Sequence, residues 1–231
     1  MQRFADIEGW VFDLDNTLYP ASQNLFAQID KRMTAFIGDA LAVERDEAYR
    51  LQKQFLGEYG TTLAGLMNKH GLPPGPFLDF VHDIDVSVLA PDPHLSDALA
   101  ALPGKKFIFT NGTRAHAERV MGQLGVEAHF DDVFDIVAGD YLPKPNPEIY
   151  PAMLARFGLS AQNAAFFEDM ARNLTPAHEL GMVTILVEES GGDSLEAMNM
   201  PAEYRAHDAA HIHHKTDNLV GFLTELTKSA R

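Results

Sequence analysis

Trp10-Val11-Phe12-Asp13-Leu14-Asp15-Asn16-Thr17-Leu18 is the stretch on which the fold turns. Three bulky apolar residues make a strand short enough to be buried on both faces, and the chain then breaks into acids and small polar residues. Residues two apart at a strand end project to the same side, so Asp13 and Asp15 are expected to face one crevice. Two close carboxylates repel, and burial sharpens the repulsion. A hard divalent cation such as Mg²⁺ relieves it, and phosphate oxygens complete its shell. Asp-x-Asp alone is weak evidence among 33 acidic residues. It recurs at Asp83 and Asp85, with neither the apolar strand before it nor Asn-Thr after it, and there it reads as an exposed edge.

Outward from this segment, strand-sized apolar runs recur at Phe107–Phe109, Phe134–Val137, Ala164–Phe167 and Val183–Val187. Helical segments alternate with them. Ala117, Val120, Met121 and Leu124 form one apolar stripe, and a second helix runs over 147–157 with Pro147 in its first turn and Gly158 as its C-cap. Such alternation predicts an α/β fold, a doubly wound and mostly parallel sheet. The rhythm stops between residues 20 and 89. There Leu25, Ile29, Met33, Phe36, Ile37 and Leu41 recur at helical spacing behind Ser22 as N-cap. A second helix spans 46–58, Gly60-Thr61-Thr62 interrupts, and another short helix follows. Gly71–Pro76 reads as a loop and Ala90–Pro93 as the return. The expected organisation is an all-helical insertion at 20–89 in a core built from 1–19 and 90–231.

Three later segments carry chemistry. Phe107-Ile-Phe-Thr-Asn-Gly112 is a buried strand ending in small polar residues, where the Thr110 hydroxyl and backbone N–H groups near Asn111 suit a phosphate. Lys144 stands between Pro143 and Pro145, which restrict the backbone and hold an ammonium that balances phosphoryl charge. Phe166-Phe-Glu-Asp-Met-Ala-Arg-Asn173 ends another strand in adjacent acids. Asp169 supplies a third oxygen for the cation, Glu168 stands beside it, and Asn173 lies one helical turn on, placed to orient that ligand. For His207, His211, His213 and His214 no nearby acid completes a convincing transition-metal ligand set, and they read as incidental residues around a short terminal strand.

With 18 Lys and Arg against 33 Asp and Glu, the formal net charge is −15, and no basic patch offsets it. That excludes nucleic-acid polymers and anionic membrane surfaces as partners. The absence of cysteine excludes thiolate nucleophiles and disulfides. No run spans a bilayer, and acids at the N-terminus replace the apolar run of a signal peptide, so a cytoplasmic protein is expected.

The four segments in this order resemble the haloacid dehalogenase superfamily: Asp13-Leu-Asp-Asn-Thr17, Thr110-Asn111, Lys144-Pro145, and Glu168-Asp169 with Asn173. The resemblance covers the whole chain and implies a Rossmann-like core with a helical cap. It implies that Asp13 is a nucleophile forming an aspartyl-phosphate and Asp15 an acid and base. Thr110, Asn111 and Thr17 would hold the phosphate and Lys144 would balance its charge. Mg²⁺ would sit on Asp13, the Asp15 carbonyl and Asp169, with Glu168 and Asn173 behind them. Many members have Gly-Asp-Ser where Glu168-Asp-Met170 stands here. That form, with Tyr59-Gly-Thr-Thr62 and Gly65-Leu66, is similar to the pyrimidine 5'-nucleotidase subfamily. The implied substrate is a small phosphate monoester such as UMP or CMP, handled by a monomer or homodimer, with Tyr59, Thr61 and Thr62 as candidates for reading the leaving group. Phosphoglycolate or a sugar phosphate is the alternative substrate, and a catalytically inactive binding module the alternative of another class. Asp15 argues against dehalogenation, which needs no proton donor for a departing halide.

Overall fold

A computed structural model describes residues 4–188 and 210–229. Six parallel strands form one sheet in the order β3-β2-β1-β4-β5-β6. They are β1 (Gly9–Phe12), β2 (Lys105–Phe109), β3 (Asp132–Phe134), β4 (Ala164–Glu168), β5 (Val183–Val187) and β6 (His214–Thr216). All four residues of β1 and all five of β4 and β5 are buried, as strands covered on both faces must be. Phe12 and Phe167 stack at 4.6 Å across the β1–β4 pair. This is the Rossmann-like, doubly wound α/β order. The chain runs outward from β1 in both directions, so the crevice for a ligand lies beyond the carboxyl ends of β1 and β4.

Between β1 and β2 the described residues form helices and no strand: α1 (Leu25–Leu41), α2 (Arg45–Tyr59), α3 (Thr62–His70), α4 (Pro74–His82) and then α5 (Pro93–Ala101). Helices α6 (Arg114–Leu124), α7 (Ile149–Phe157), α8 (Ala171–Leu180) and α9 (Leu219–Ser229) follow the later strands. Helices α1 and α2 are tied by a buried bond from Thr34 Oγ1 to Gln52 Oε1 (2.5 Å). Helices α2 and α3 meet at Gly65, where a Cβ would fall 2.3 Å from the Phe55 Cβ, so only glycine permits this approach. The C-terminal carbonyls of α4 and of the loop after it receive guanidinium bonds from both sides. Arg32 of α1 donates to Phe80 O (2.6 Å), and Arg119 of α6 donates to His82 O (2.8 Å) and Ile84 O (2.5 Å).

Four local expectations give way. Residues 71–76 are not all loop: Pro74 opens α4 at a position that tolerates its missing N–H. The third strand is Asp132–Phe134 rather than Phe134–Val137, because the Asp135 carboxylate accepts from the N–H of Ala138 and turns the chain out of the sheet. Helix α7 starts at Ile149, two residues beyond Pro147, and ends as expected with Gly158 at φ 66°. Ser22 does not cap α1; it lies in a 3₁₀ turn, and Asn24 at φ 60° precedes the helix. Among the described residues no helix is long and apolar enough to cross a membrane.

Candidate active site

Asp13 and Asp15 follow β1, Thr110 and Asn111 follow β2, and Glu168 and Asp169 end β4, so three neighbouring parallel strands deliver their polar ends to one edge. Together with Lys144 and Asn173, these residues line a cavity of about 170 Å³ roofed by α1 to α4.

Lys144 is the electrostatic centre. It is 1% exposed, and its Nζ donates to Asp13 Oδ1 (2.6 Å), Glu168 Oε2 (2.6 Å) and Phe109 O (2.9 Å), using all three protons. Its main chain is held by a reciprocal pair: Lys144 N donates to Asn111 Oδ1 (2.8 Å), and Asn111 Nδ2 donates to Lys144 O (3.3 Å). Both ends of the Asn111 amide are thereby engaged on the lysine loop. The other oxygen of Glu168 accepts from Met170 N (3.2 Å).

Oxygens of Asp13, Glu168 and Asp169 all lie within 4.8 Å of one another, a grouping able to hold a metal ion. One ammonium faces three carboxylates here. Burial, then the Glu168 charge, pushes the Asp13 carboxyl up to about 7 despite Lys144. Burial, then Glu168 and Asp13, drives Asp169 well above the usual carboxylate range. Charge balance in this set calls for a second cation, and all-oxygen donors suit a hard one. Asn173 Oδ1, buried at the same cavity, has no hydrogen-bond partner and adds an acceptor. The residues therefore fit a divalent metal.

The Asp15 carboxylate stands apart from that cluster, and only its main-chain carbonyl enters the expected metal shell. Tyr19 Oη donates to its Oδ1 (2.5 Å), and His116 Nε2 lies 2.9 and 3.2 Å from Oδ1 and Oδ2. Burial pushes Asp15 up, but the charge on His116 and the bonds from His116 and Tyr19 outweigh it and leave the group below its ordinary value. Neither partner was found by sequence reasoning. Tyr19 sits four residues from Asp15, but His116 sits 101 away on a helix whose apolar stripe hides it.

Thr110 lines the cavity, with its Oγ1 accepting from Gly112 N (3.0 Å). Thr17 does not line it, although its buried hydroxyl has no hydrogen-bond partner. Thr61 and Thr62 line it as well. Thr61 caps α3 by accepting from Ala64 N, whereas Tyr59 packs edge-on to Phe55 instead. Asp83 pairs with Arg32 at the surface, and Asp85 accepts from Ser87 N. His211 contacts Ala171 O, His213 contacts Thr184, and His214 packs on Phe4, so these three histidines do not converge on a metal. His207 lies outside the described residues.

A family model for haloacid dehalogenase-like hydrolases matches residues 7–181. Phosphate metabolism protein 8 of Saccharomyces cerevisiae is 30% identical over 189 residues, 74% of this chain and 58% of the yeast protein. The chain thus spans less than two thirds of that relative. A glyceraldehyde 3-phosphate phosphatase of Methanocaldococcus jannaschii is 28% identical over 78% of this chain and 85% of its own length. Among solved structures, a phosphatase from Thermococcus onnurineus superposes with a TM-score of 0.61 at 18% identity, covering 96% of this chain and 97% of that one, a likeness of fold.

Proposed function

For a chain that belongs to the haloacid dehalogenase-like hydrolases, we propose a Mg²⁺-dependent phosphomonoesterase that works through an aspartyl-phosphate on Asp13. The observation that carries this reading is the Lys144-bridged group of Asp13, Glu168 and Asp169 at the strand ends, facing a cavity with Asp15 beside it.

An Asp13 carboxylate oxygen forms a bond to phosphorus as the bond to the ester oxygen breaks, and Asp15, as the acid, passes its proton to that departing oxygen. Water then attacks phosphorus, Asp15 takes a water proton, and the Asp13–phosphorus bond breaks to release phosphate. Asp15 is ionised in the free site; a phosphate dianion arriving beside it raises its proton affinity and loads it for the first step. Lys144 holds Asp13 in place and offsets charge on the phosphoryl oxygens, with Thr110 and the backbone at Asn111 beside them. Thr17, on the Asp13 loop, would serve the phosphate side from behind the cavity wall rather than along it. Mg²⁺ held by Asp13, Asp169 and the Asp15 carbonyl, with Glu168 and Asn173 behind them, would supply further charge neutralisation.

The helical insertion, residues 20–89, acts as the cap that excludes water and reads the leaving group. Its share of the cavity wall is mixed. Phe26, Ile29, Met33 and Leu56 offer an apolar surface, beside a polar set in which Gln52 Nε2 (2.7 Å) and Lys53 Nζ (2.8 Å) both donate to Asp30 Oδ1. A flat base with a hydrogen-bonding edge matches such a wall better than a short polyhydroxylated chain does, which favours a pyrimidine nucleoside monophosphate, UMP or CMP. Likeness to the archaeal glyceraldehyde 3-phosphate phosphatase supports the second reading, a triose or other sugar phosphate, with phosphoglycolate in the same group. In a screen of these esters, kcat/KM is expected to favour UMP and CMP by at least about tenfold. Best turnover of glyceraldehyde 3-phosphate with idle nucleotides would overturn the nucleotidase assignment. No hydrolysis of p-nitrophenyl phosphate with Mg²⁺ would leave only the inactive-module reading. The enzyme is expected in the cytoplasm, as a monomer or homodimer.

Metal binding should also register as stability. The Asp13 carboxyl titrates higher folded (about 7) than its ordinary 3.8, and Asp169 moves the same way. The folded chain then holds more protons than the unfolded one across that window, so in the metal-free protein these groups erode stability as pH rises from about 4 to about 7. Mg²⁺ competes with those protons. At about 100 times Kd it is expected to add about 2.7 kcal/mol, seen as a rise in Tm that is larger near pH 7.5 than near pH 5. Equal gains at both pH values, or none, would contradict the metal assignment.

A further inference from the structure

Resting on the reading of Asp15 as acid and base, we propose that His116 is the positioning residue for that carboxylate, and that His82, reaching in from the helical insertion, seats the His116 ring. His116 is 1% exposed and lies behind Asp15 rather than on the cavity wall, so it touches the proton-handling group but not the substrate. Its Nε2 spans both Asp15 oxygens at 2.9 and 3.2 Å. A histidine that orients a neighbour is ordinarily fixed through its second nitrogen, yet Nδ1 of His116 is buried without a hydrogen-bond partner. Stacking takes over that task. The His82 ring lies over His116 with centroids 4.6 Å apart and planes 13° from parallel.

The rest of the arrangement serves this stack. Thr113 Oγ1 accepts from His116 N (3.3 Å), capping α6, and lies 3.2 Å from His82 Nδ1, so one hydroxyl registers both histidines. Gly112 keeps the space open: a Cβ there would meet His116 Cδ2 at 3.2 Å and His82 Nε2 at 3.6 Å. Arg119, one turn beyond His116 on α6, donates to His82 O (2.8 Å) and fixes the end of α4 from the core side. The insertion thereby reaches the acid–base step through the two stacked rings, independently of any contact with substrate. Tyr19 remains on Asp15 if His116 is removed, so partial rather than complete loss of alignment follows.

The test exploits the leaving group. A nitrophenolate departs without a proton, whereas the alkoxide of UMP or glycerol 2-phosphate needs one. With the full chain in Mg²⁺, His116→Ala is expected to slow the pre-steady-state release of nitrophenolate by no more than about twofold, since that step needs no proton from Asp15. It is expected to slow phosphoryl transfer from the alkyl ester by about 10- to 100-fold, part of the effect typical of general acids, with KM unaltered. His116→Gln, whose amide N–H reaches toward Asp15, should recover most of that loss, and His82→Ala should show the same selectivity more weakly. Equal slowing of both esters by His116→Ala, or slowing of neither, overturns the proposal. If His116→Ala fails to fold, His116→Gln and His82→Ala carry the same comparison, and a loss in them without ester selectivity overturns it equally. Asp15→Asn separates the two levels. If it is itself unselective, the reading of Asp15 fails; if it is selective while the histidine variants are not, only the histidine assignment fails.

Discussion

Asp13→Asn is expected to lower kcat by about 10⁴-fold or more, the scale seen when a nucleophile is removed from a unit that works together, while leaving the fold intact. The amide keeps an oxygen for Lys144 Nζ, now 2.6 Å from Asp13 Oδ1, so the lysine stays anchored between residue 13 and Glu168. It also removes one of three crowded carboxylates, the one whose proton affinity burial and Glu168 raise to about 7. In metal-free buffer at neutral pH the variant should therefore melt no lower than the wild type, and its gain from Mg²⁺ should disappear. Steady-state kinetics with p-nitrophenyl phosphate, paired with melting curves with and without Mg²⁺, check both halves. Retained turnover would remove Asp13 from the chemistry, and a large drop in Tm would show that its charge is structural.

Lys144→Met carries the largest expected effect on stability. The methionine fills similar space and still packs between Phe109 and Phe166, over which the ammonium now sits at 5.1 and 5.4 Å. It leaves Asp13 and Glu168 facing each other in a buried site without their shared cation. Removing one partner of a buried ionic set costs about 3–5 kcal/mol, to be read from urea unfolding near neutral pH in EDTA. The penalty should shrink as pH falls, because protonated carboxyls need no counter-charge. Turnover should fall as well, since the lysine both restrains Asp13 and balances the phosphoryl group. A cost below about 1 kcal/mol would mean that the three carboxylates are neutralised by other means.

How much of this was legible in the sequence follows from the range of each interaction. Strand ends announce themselves locally, as an apolar run that stops at small polar residues, so in a parallel sheet the positions of Asp13, Thr110, Asn111, Glu168 and Asp169 along one edge are readable from the sequence. Lys144 was readable as a loop lysine fixed by two prolines, but its simultaneous bonds to Asp13 and Glu168, 131 and 24 residues away, are a tertiary fact. Element edges were misplaced where one side chain redirects the backbone, as Asp135 does at the end of β3 and Pro74 at the start of α4. The His82–His116 stack had no local signature. Each histidine lies in an ordinary amphipathic helix, and only the docking of α4 against α6 brings the rings together. Thr17 shows the converse: motif membership placed it near the phosphate, and its side chain does not line the cavity.

The central claim is that phosphate passes through Asp13. Rapid acid quench of the enzyme turning over p-nitrophenyl phosphate in Mg²⁺, followed by peptide mass analysis, tests it most directly. One phosphoryl group is expected on the peptide containing Asp13, accumulating further in Asp15→Asn, where water lacks its base, and absent from Asp13→Asn. Steady release of phosphate with no phosphoryl group on the protein, or with the label on another residue such as His116, would contradict it.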